Sequence, residues 1–160
     1  MVQGIAGKGR AKDGSLLFYR MHSQLGKPRL VLVHSLSLDA GIWLGVVDNV
    51  GEDFEILVYD CRGHGQAESR PGPYTAQLFA SDLAAVLDHC GWSSAVIAGC
   101  SMGGCVRSRV RRPCSGPGAD RYDRMVWTNG AGGLAQTRCD SGRGGVSGDA
   151  PLSVQPVVQR

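Results

Sequence analysis

A Gly-x-Ser-x-Gly pentapeptide at residues 99–103 constrains the fold of this chain more than any other feature. It directly follows an apolar run at residues 94–98, so the pattern predicts a buried strand, a sharp turn carrying Ser101, and the start of a helix. Both flanking residues are glycine, because a Cβ there would crowd the neighbouring strand or helix. The turn lifts the Ser101 hydroxyl out of the sheet to where an acyl carbonyl can reach it, so Ser101 is the candidate nucleophile.

Strand and helix patterns alternate before this turn. The run at residues 29–33 is continuously apolar, which is typical of a strand buried on both faces. Further strands are predicted over residues 16–21 and 54–59, a short helical stretch begins near Asp39, and the clearest helical period covers residues 75–91. This order predicts an α/β fold with a doubly wound, mostly parallel sheet.

The loops after these strands hold the other candidate site residues, because reactive groups gather at the carboxyl ends of parallel strands. The oxyanion of an acyl-transfer intermediate needs two backbone N–H donors. Met102, the residue after the candidate nucleophile, supplies one. The loop at residues 34–38 supplies the other, with Leu36 as the first choice and Ser35 as the second. A polar loop without a catalytic role is the alternative interpretation of that segment.

A glycine-punctuated turn at residues 60–66 favours a structural interpretation. Asp60 and Arg62 are predicted to tie neighbouring loops together by charge-assisted hydrogen bonds. A catalytic base at His64 is the less favoured alternative. The remaining histidines are predicted to face the surface or loops: His22, His34 and His89.

Three motifs in order give residues 29–106 a family resemblance. Residues 33–37 stand where an α/β-hydrolase-fold enzyme carries its His-Gly-type oxyanion loop, residues 59–65 match its Asp-x-Arg-Gly-His-Gly turn, and residues 99–104 match its nucleophile elbow. The segment therefore resembles the N-terminal half of such an enzyme. The His-Ser-Leu loop combined with Ser-Met-Gly-Gly is most similar to the 3-oxoadipate enol-lactonase branch and its ester-hydrolase relatives.

This resemblance implies a hydrolase of carboxylic esters or lactones that acts on a small molecule and needs no cofactor or metal. It makes Ser101 the nucleophile and the N–H groups of Leu36 and Met102 the oxyanion hole. A mild departure is the serine at position 35, where many relatives have glycine.

A larger departure is that the chain cannot assemble the triad of this fold, whose order is Ser, then Asp or Glu, then His. All four histidines precede Ser101. Four carboxylates follow it, but none has a strand-end context: Asp120, Asp123, Asp140 and Asp149. The catalytic acid and histidine are thus not present in recognisable form, and weak or absent activity is expected.

Composition changes abruptly after Val106. Residues 1–106 hold 8 Lys+Arg against 10 Asp+Glu, whereas residues 107–160 hold 9 Arg against 4 Asp. Four arginines and Pro113 replace the apolar stripe expected of the helix after the turn. The sequence therefore predicts a partial α/β-hydrolase domain over 1–106 and an irregular or disordered segment over 107–160. A shifted reading frame near Val106 is one hypothesis, and a genuine divergent tail is the other.

Several function classes find no support in the sequence. No apolar run has the length of a membrane span or of a signal-peptide core, so a cytoplasmic protein is predicted. Six cysteines without a Cys-x-x-Cys pair indicate reduced thiols rather than a zinc site. The alternatives to a hydrolase are a non-catalytic fragment and, less favoured, a nucleic-acid binder using the basic tail. The oligomeric state stays open.

Overall fold

The computed structural model describes residues 4–110, together with the backbone of two further strands at residues 125–129 and 133–137. Within 4–110, five strands form one sheet: β1 (Ile5–Arg10), β2 (Leu16–His22), β3 (Arg29–Val33), β4 (Glu55–Tyr59) and β5 (Val96–Gly99). Their order across the sheet is β1-β2-β4-β3-β5. The central strand β3 pairs in parallel with both β4 and β5. The carboxyl ends of these three strands therefore lie together at one edge.

The sheet is mixed, because its outer strands run against the parallel core. β2 pairs antiparallel with β4, and β1 pairs antiparallel with β2 over the register Ile5↔Met21 to Arg10↔Leu16. The sequence pattern did not predict β1, since its Ile-Ala-Gly-Lys-Gly-Arg run has no apolar alternation. Backbone pairing with β2 is what makes this segment a strand.

Helices follow three of the strands. A 3₁₀ turn at Ala40–Trp43 leads into α1 (Leu44–Val50), α2 spans Ala76–His89, and α3 spans Met102–Arg107. The predicted helix over 75–91 is confirmed: the Thr75 hydroxyl oxygen accepts a hydrogen bond from the Leu78 N–H at 3.1 Å and caps the helix. Gly91, just past its end, has a φ of +68°, a conformation that favours glycine.

The alternating side chains of β3 build a core on each face of the sheet. Val31 and Val33 pack into a cluster with Leu83 and Leu87 of α2 and with α3. Leu30 and Leu32 pack into a second cluster that includes Ala40 and Val47, from the 3₁₀ turn and α1. Both faces are therefore covered, which explains the continuously apolar sequence of this strand and confirms the doubly wound α/β class.

Two strands lie inside the segment that was predicted to be irregular. β6 (Met125–Asn129) and β7 (Gly133–Thr137) pair antiparallel with each other. Residues 107–110 at the start of that segment are also described: Arg107 is the last residue of α3, and Val110 is buried in the core. The rest of the segment lies outside the described residues. In the part of the chain that is described, no helix combines the length and apolar composition that a bilayer crossing requires.

Candidate active site

Ser101 occupies a strained turn between β5 and α3. Its backbone has φ +50° and ψ −113°, a combination that residues with a side chain rarely adopt. Ser101 is exposed, and its hydroxyl makes no capping bond to α3. The turn thus presents a hydroxyl to solvent at the carboxyl end of the parallel strands, as the Gly-x-Ser-x-Gly pattern predicts.

The glycines of this turn are required by close backbone approach. A Cβ on Gly103 would lie 2.2 Å from the carbonyl oxygen of Val33, and a Cβ on Gly99 would lie 2.5 Å from the carbonyl carbon of Gly103. The Cys100 N–H also donates to the Val33 carbonyl at 3.3 Å. These contacts press the elbow against the end of β3, from which the loop at residues 34–38 departs.

The two candidate oxyanion donors lie on either side of this contact. Met102 is the first residue of α3, and the first N–H groups of a helix have no partner within the helix. Leu36 lies in the exposed loop after β3, with 60% of its surface accessible. That loop turns tightly: Ser37 has a φ of +64°, and the Leu38 N–H donates to the Ser35 carbonyl at 3.3 Å.

Asp60 holds the neighbouring turn in place from the end of β4. It is 3% exposed. One carboxylate oxygen accepts the Ala40 N–H at 2.8 Å, and the other accepts the Gln66 N–H at 2.9 Å. A Cβ on Gly65 would lie 2.3 Å from this carboxylate, so only glycine fits beside it. Asp60 therefore connects the 3₁₀ turn to residues 60–66.

Arg62 is the centre of a buried ion network. Its Nε and one terminal nitrogen donate to the two carboxylate oxygens of Asp82 at 2.5 and 2.6 Å, and its other terminal nitrogen donates to Asp13 at 2.8 Å. These hydrogen bonds raise the pKa of Arg62 and lower that of Asp13, while burial raises the pKa of Asp82 against the pull of Arg62. The predicted structural role of Asp60 and Arg62 is confirmed.

The histidines depart from the sequence prediction. His22 is 5% exposed and His34 is fully buried, so placing them at the surface or facing open loops is wrong, whereas His89 is exposed. The reason is packing: each of the two buried rings stands at the end of a core strand. His64 has its Nδ1 3.0 Å from the Arg62 carbonyl, and its ring centroid is 5.1 Å from that of His34.

His34 is not available as the missing base. Its Nε2 accepts the Cys61 N–H at 2.9 Å, and its Nδ1 lies 2.7 Å from the Ser35 carbonyl oxygen. Both nitrogens are therefore engaged. The sequence offered no signal for this arrangement, because Cys61 is 27 residues away along the chain.

Burial keeps two of the described thiols in their unreactive protonated form. Burial raises the pKa of Cys61 to about 12 and also raises the pKa of Cys90, so both are protonated at neutral pH. The described cysteines are free: Cys61, Cys90, Cys100 and Cys105.

Residues 4–110 contain no group of three His, Cys, Asp or Glu side chains placed to hold a metal ion.

The sequence assigned no triad role to the four carboxylates that follow Ser101, and all four fall outside the described residues: Asp120, Asp123, Asp140 and Asp149. An open cleft lined by Lys27, Arg29 and Glu55 lies at the amino ends of β3 and β4. It is at the opposite end of the sheet from Ser101 and does not belong to this site.

Comparison with known proteins agrees with the geometry. The sequence model of the alpha/beta hydrolase fold family matches residues 28–108, which cover β3 through α3. The chain belongs to this family.

Enol-lactonases are among the relatives to which the chain is similar. 3-Oxoadipate enol-lactonase 2 of Acinetobacter baylyi is 32% identical over 88 residues, which are 55% of this chain and 33% of that protein. The crystal structure of the enol-lactonase from Burkholderia xenovorans is 32% identical with a TM-score of 0.60, covering 62% of this chain and 39% of that one. A hydrolase from Pseudomonas aeruginosa is 33% identical with a TM-score of 0.61, covering 63% and 38%. The chain thus spans about a third of the length of the curated relatives it matches.

Proposed function

We propose that Ser101 is the nucleophile of a serine hydrolase site for carboxylic esters or lactones, similar to that of a 3-oxoadipate enol-lactonase. One observation carries the proposal: Ser101 is exposed and holds a strained φ of +50° in a turn where Gly103 contacts the backbone of β3. Strain of this kind persists only where the surrounding structure enforces it, and it is concentrated at functional sites.

The reaction follows from the placement of the groups. The Ser101 Oγ attacks the acyl carbon and forms a new C–O bond, while the carbonyl oxygen becomes an oxyanion that the N–H groups of Leu36 and Met102 stabilise. The ester or ring oxygen then leaves with a proton. Water attacks the acyl-enzyme, which releases the carboxylic acid and restores the Ser101 hydroxyl.

Proton transfer is the step for which this chain has no assigned group. No histidine follows Ser101, and both nitrogens of His34 are engaged. Loss of the base removes most nucleophilic catalysis, although an oxyanion hole and substrate binding leave a residual acceleration. We therefore propose that these 160 residues react slowly and turn over weakly or not at all, as a truncated or frame-shifted cytoplasmic hydrolase.

Labelling with a fluorophosphonate tests whether Ser101 is a nucleophile. We expect one slow adduct per chain by intact-mass spectrometry, located at Ser101 by peptide mapping. Added imidazole is expected to accelerate the labelling because it replaces the missing base. Ser101→Ala should abolish the adduct, and Ser108→Ala, which alters an exposed serine one helix away, should not. An unlabelled but folded protein would favour the non-catalytic alternative.

Sequencing the coding DNA across codons 104–113 tests the proposed boundary near residue 106. A second frame that continues the helix and later encodes an Asp and a His would support the shifted frame. If no frame does so, residues 107–160 are a genuine tail, and Ser101 is a nucleophile without its base.

A further inference from the structure

The buried ring of His34 joins the ends of two strands. It directly follows β3 and accepts a hydrogen bond at Nε2 from the Cys61 N–H at the end of β4. A backbone N–H can only donate and a carbonyl oxygen can only accept. Nε2 must therefore carry a lone pair, and Nδ1 must carry the proton that it shares with the Ser35 carbonyl at 2.7 Å. The two partners together select the neutral Nδ1–H tautomer.

The Ser35 carbonyl belongs to the same peptide group as the Leu36 N–H. A trans peptide is planar, and its C=O and N–H bonds point in opposite directions. A donor that holds the Ser35 carbonyl therefore also sets the direction of the Leu36 N–H. The hydrogen bond polarises the peptide as well, which makes that N–H a better donor.

The surroundings of the ring favour this neutral state. Burial is the largest effect and lowers the pKa of His34, and the nearby His64 lowers it too. The hydrogen bond with Ser35 and the carboxylates of Asp60 and Asp39 act in the other direction. The ring is fully buried, so charging it would place a cation in the core.

From this geometry we infer that His34 is a positioning residue of the oxyanion hole. Its Nδ1–H holds the Ser35–Leu36 peptide, and its Nε2 anchors the ring on the Cys61 N–H, so the Leu36 N–H is aimed outward from the end of β3. The catalytic meaning of this inference rests on the proposed function, but the hydrogen-bond arrangement does not.

Two substitutions separate the two ring nitrogens. In His34→Asn the amide nitrogen stands near the place of Nδ1 and keeps a donor for the Ser35 carbonyl, but cannot reach Cys61. In His34→Gln the amide stands near the place of Nε2 and keeps a partner for Cys61, but the Ser35 carbonyl loses its short hydrogen bond to the ring and retains only the longer one from the Leu38 N–H at 3.3 Å. If His34 only clamps the strands together, the Gln variant should have the smaller effect on the Leu36 amide and on labelling. If His34 orients the Ser35–Leu36 peptide, the Asn variant should have the smaller effect.

The first measurement uses nitrogen NMR on the intact chain. We expect the wild-type His34 ring to be neutral at pH 7 with its proton on Nδ1, and the Leu36 amide resonance to move more in His34→Gln than in His34→Asn. His89→Gln, at an exposed position, should leave the Leu36 amide unchanged. A proton on Nε2, or equal Leu36 shifts in both variants, would overturn the inference.

The second measurement is the rate of Ser101 labelling by the fluorophosphonate, whose P=O oxygen takes the place of the oxyanion. Loss of one oxyanion donor costs about 10²–10³-fold in rate, so we expect at least about a tenfold loss in His34→Gln and a smaller loss in His34→Asn. The opposite order at matched stability would contradict the positioning role. If the wild type is not labelled at all, the proposed function fails, and the NMR comparison alone decides the role of His34.

Discussion

The turn at residues 60–66 and the elbow at residues 99–103 flank the same loop but have opposite local energetics. Both are rich in glycine and follow parallel strands that border β3. In the first turn, Asp60 and Arg62 are buried and their hydrogen-bonding groups find partners. In the elbow, Ser101 is exposed, strained and without a capping bond.

This difference distinguishes a supporting turn from the turn that carries the proposed nucleophile. The first turn gains stability by pairing buried charges with backbone and carboxylate partners. The elbow instead holds Ser101 in a strained conformation, which costs local stability but leaves this residue exposed. Replacing Arg62 in the first turn should therefore lower stability, whereas relieving the strain at Ser101 in the elbow should raise it.

Arg62→Met should have the largest effect. It leaves the buried carboxylate of Asp82 without its partner, so we expect a loss of about 3–5 kcal/mol in the free energy of unfolding by urea denaturation. The matched control Arg70→Met breaks an exposed ion pair with Glu68 and should lose at most about 1 kcal/mol.

A double variant sharpens this result. Arg62→Met combined with Asp82→Leu should recover much of the loss, because no unpaired charge is then buried. Equal stability of Arg62→Met and the wild type would show that the buried network does not support the fold.

Gly103→Ala should have the next largest effect on stability. The new Cβ would meet the Val33 carbonyl at 2.2 Å, and backbone cannot move aside easily, so we expect a loss of about 1–3 kcal/mol or more. Gly45→Ala is the control, since no atom lies within 4 Å of its Cβ position and it lies in α1. This variant should gain about 0.5–1 kcal/mol. Equal losses of stability in Gly103→Ala and Gly45→Ala would argue against the close approach of Gly103 to the Val33 carbonyl.

Ser101→Gly should stabilise the chain. Glycine adopts a φ of +50° freely, so relief of strain is expected to add about 1 kcal/mol to the free energy of unfolding while abolishing labelling. Ser101→Ala should abolish labelling without this gain. Ser108→Gly, at an ordinary φ of −63°, should not stabilise. Thermal denaturation of the three variants side by side measures the difference.

The pH dependence of stability should show the smallest effect. The pKa of His34 lies below its ordinary value of 6.5 in the folded chain, so the unfolded chain binds the proton more readily. Its stabilising contribution is therefore complete above pH 6.5 and decreases as the pH falls from there toward the folded pKa. The slope cannot exceed about 1.4 kcal/mol per pH unit for one proton.

Replacing the ring isolates this contribution. His34→Asn should flatten the stability profile between pH 7 and 5, whereas His89→Asn, at an exposed position, should leave it as in the wild type. An unchanged slope in His34→Asn would mean that the ring titrates alike in the folded and unfolded chain.

Much of the fold could be predicted because its signals are local. The apolar run of β3, the helical period and cap of α2, and the Gly-x-Ser-x-Gly turn each depend on residues within a few positions of one another. β1 could not be predicted, since its strand conformation comes from hydrogen bonds to β2 rather than from its own side chains.

The sequence by itself determined the α/β order of elements, the position of Ser101 in its turn and the absence of any histidine after it. Only the tertiary structure decided that His34 is buried and that its two nitrogens meet Ser35 and Cys61. The physical reason is that a local pattern records which residues favour a strand or a turn. The partners of a buried polar group are chosen only when strands distant along the chain come side by side.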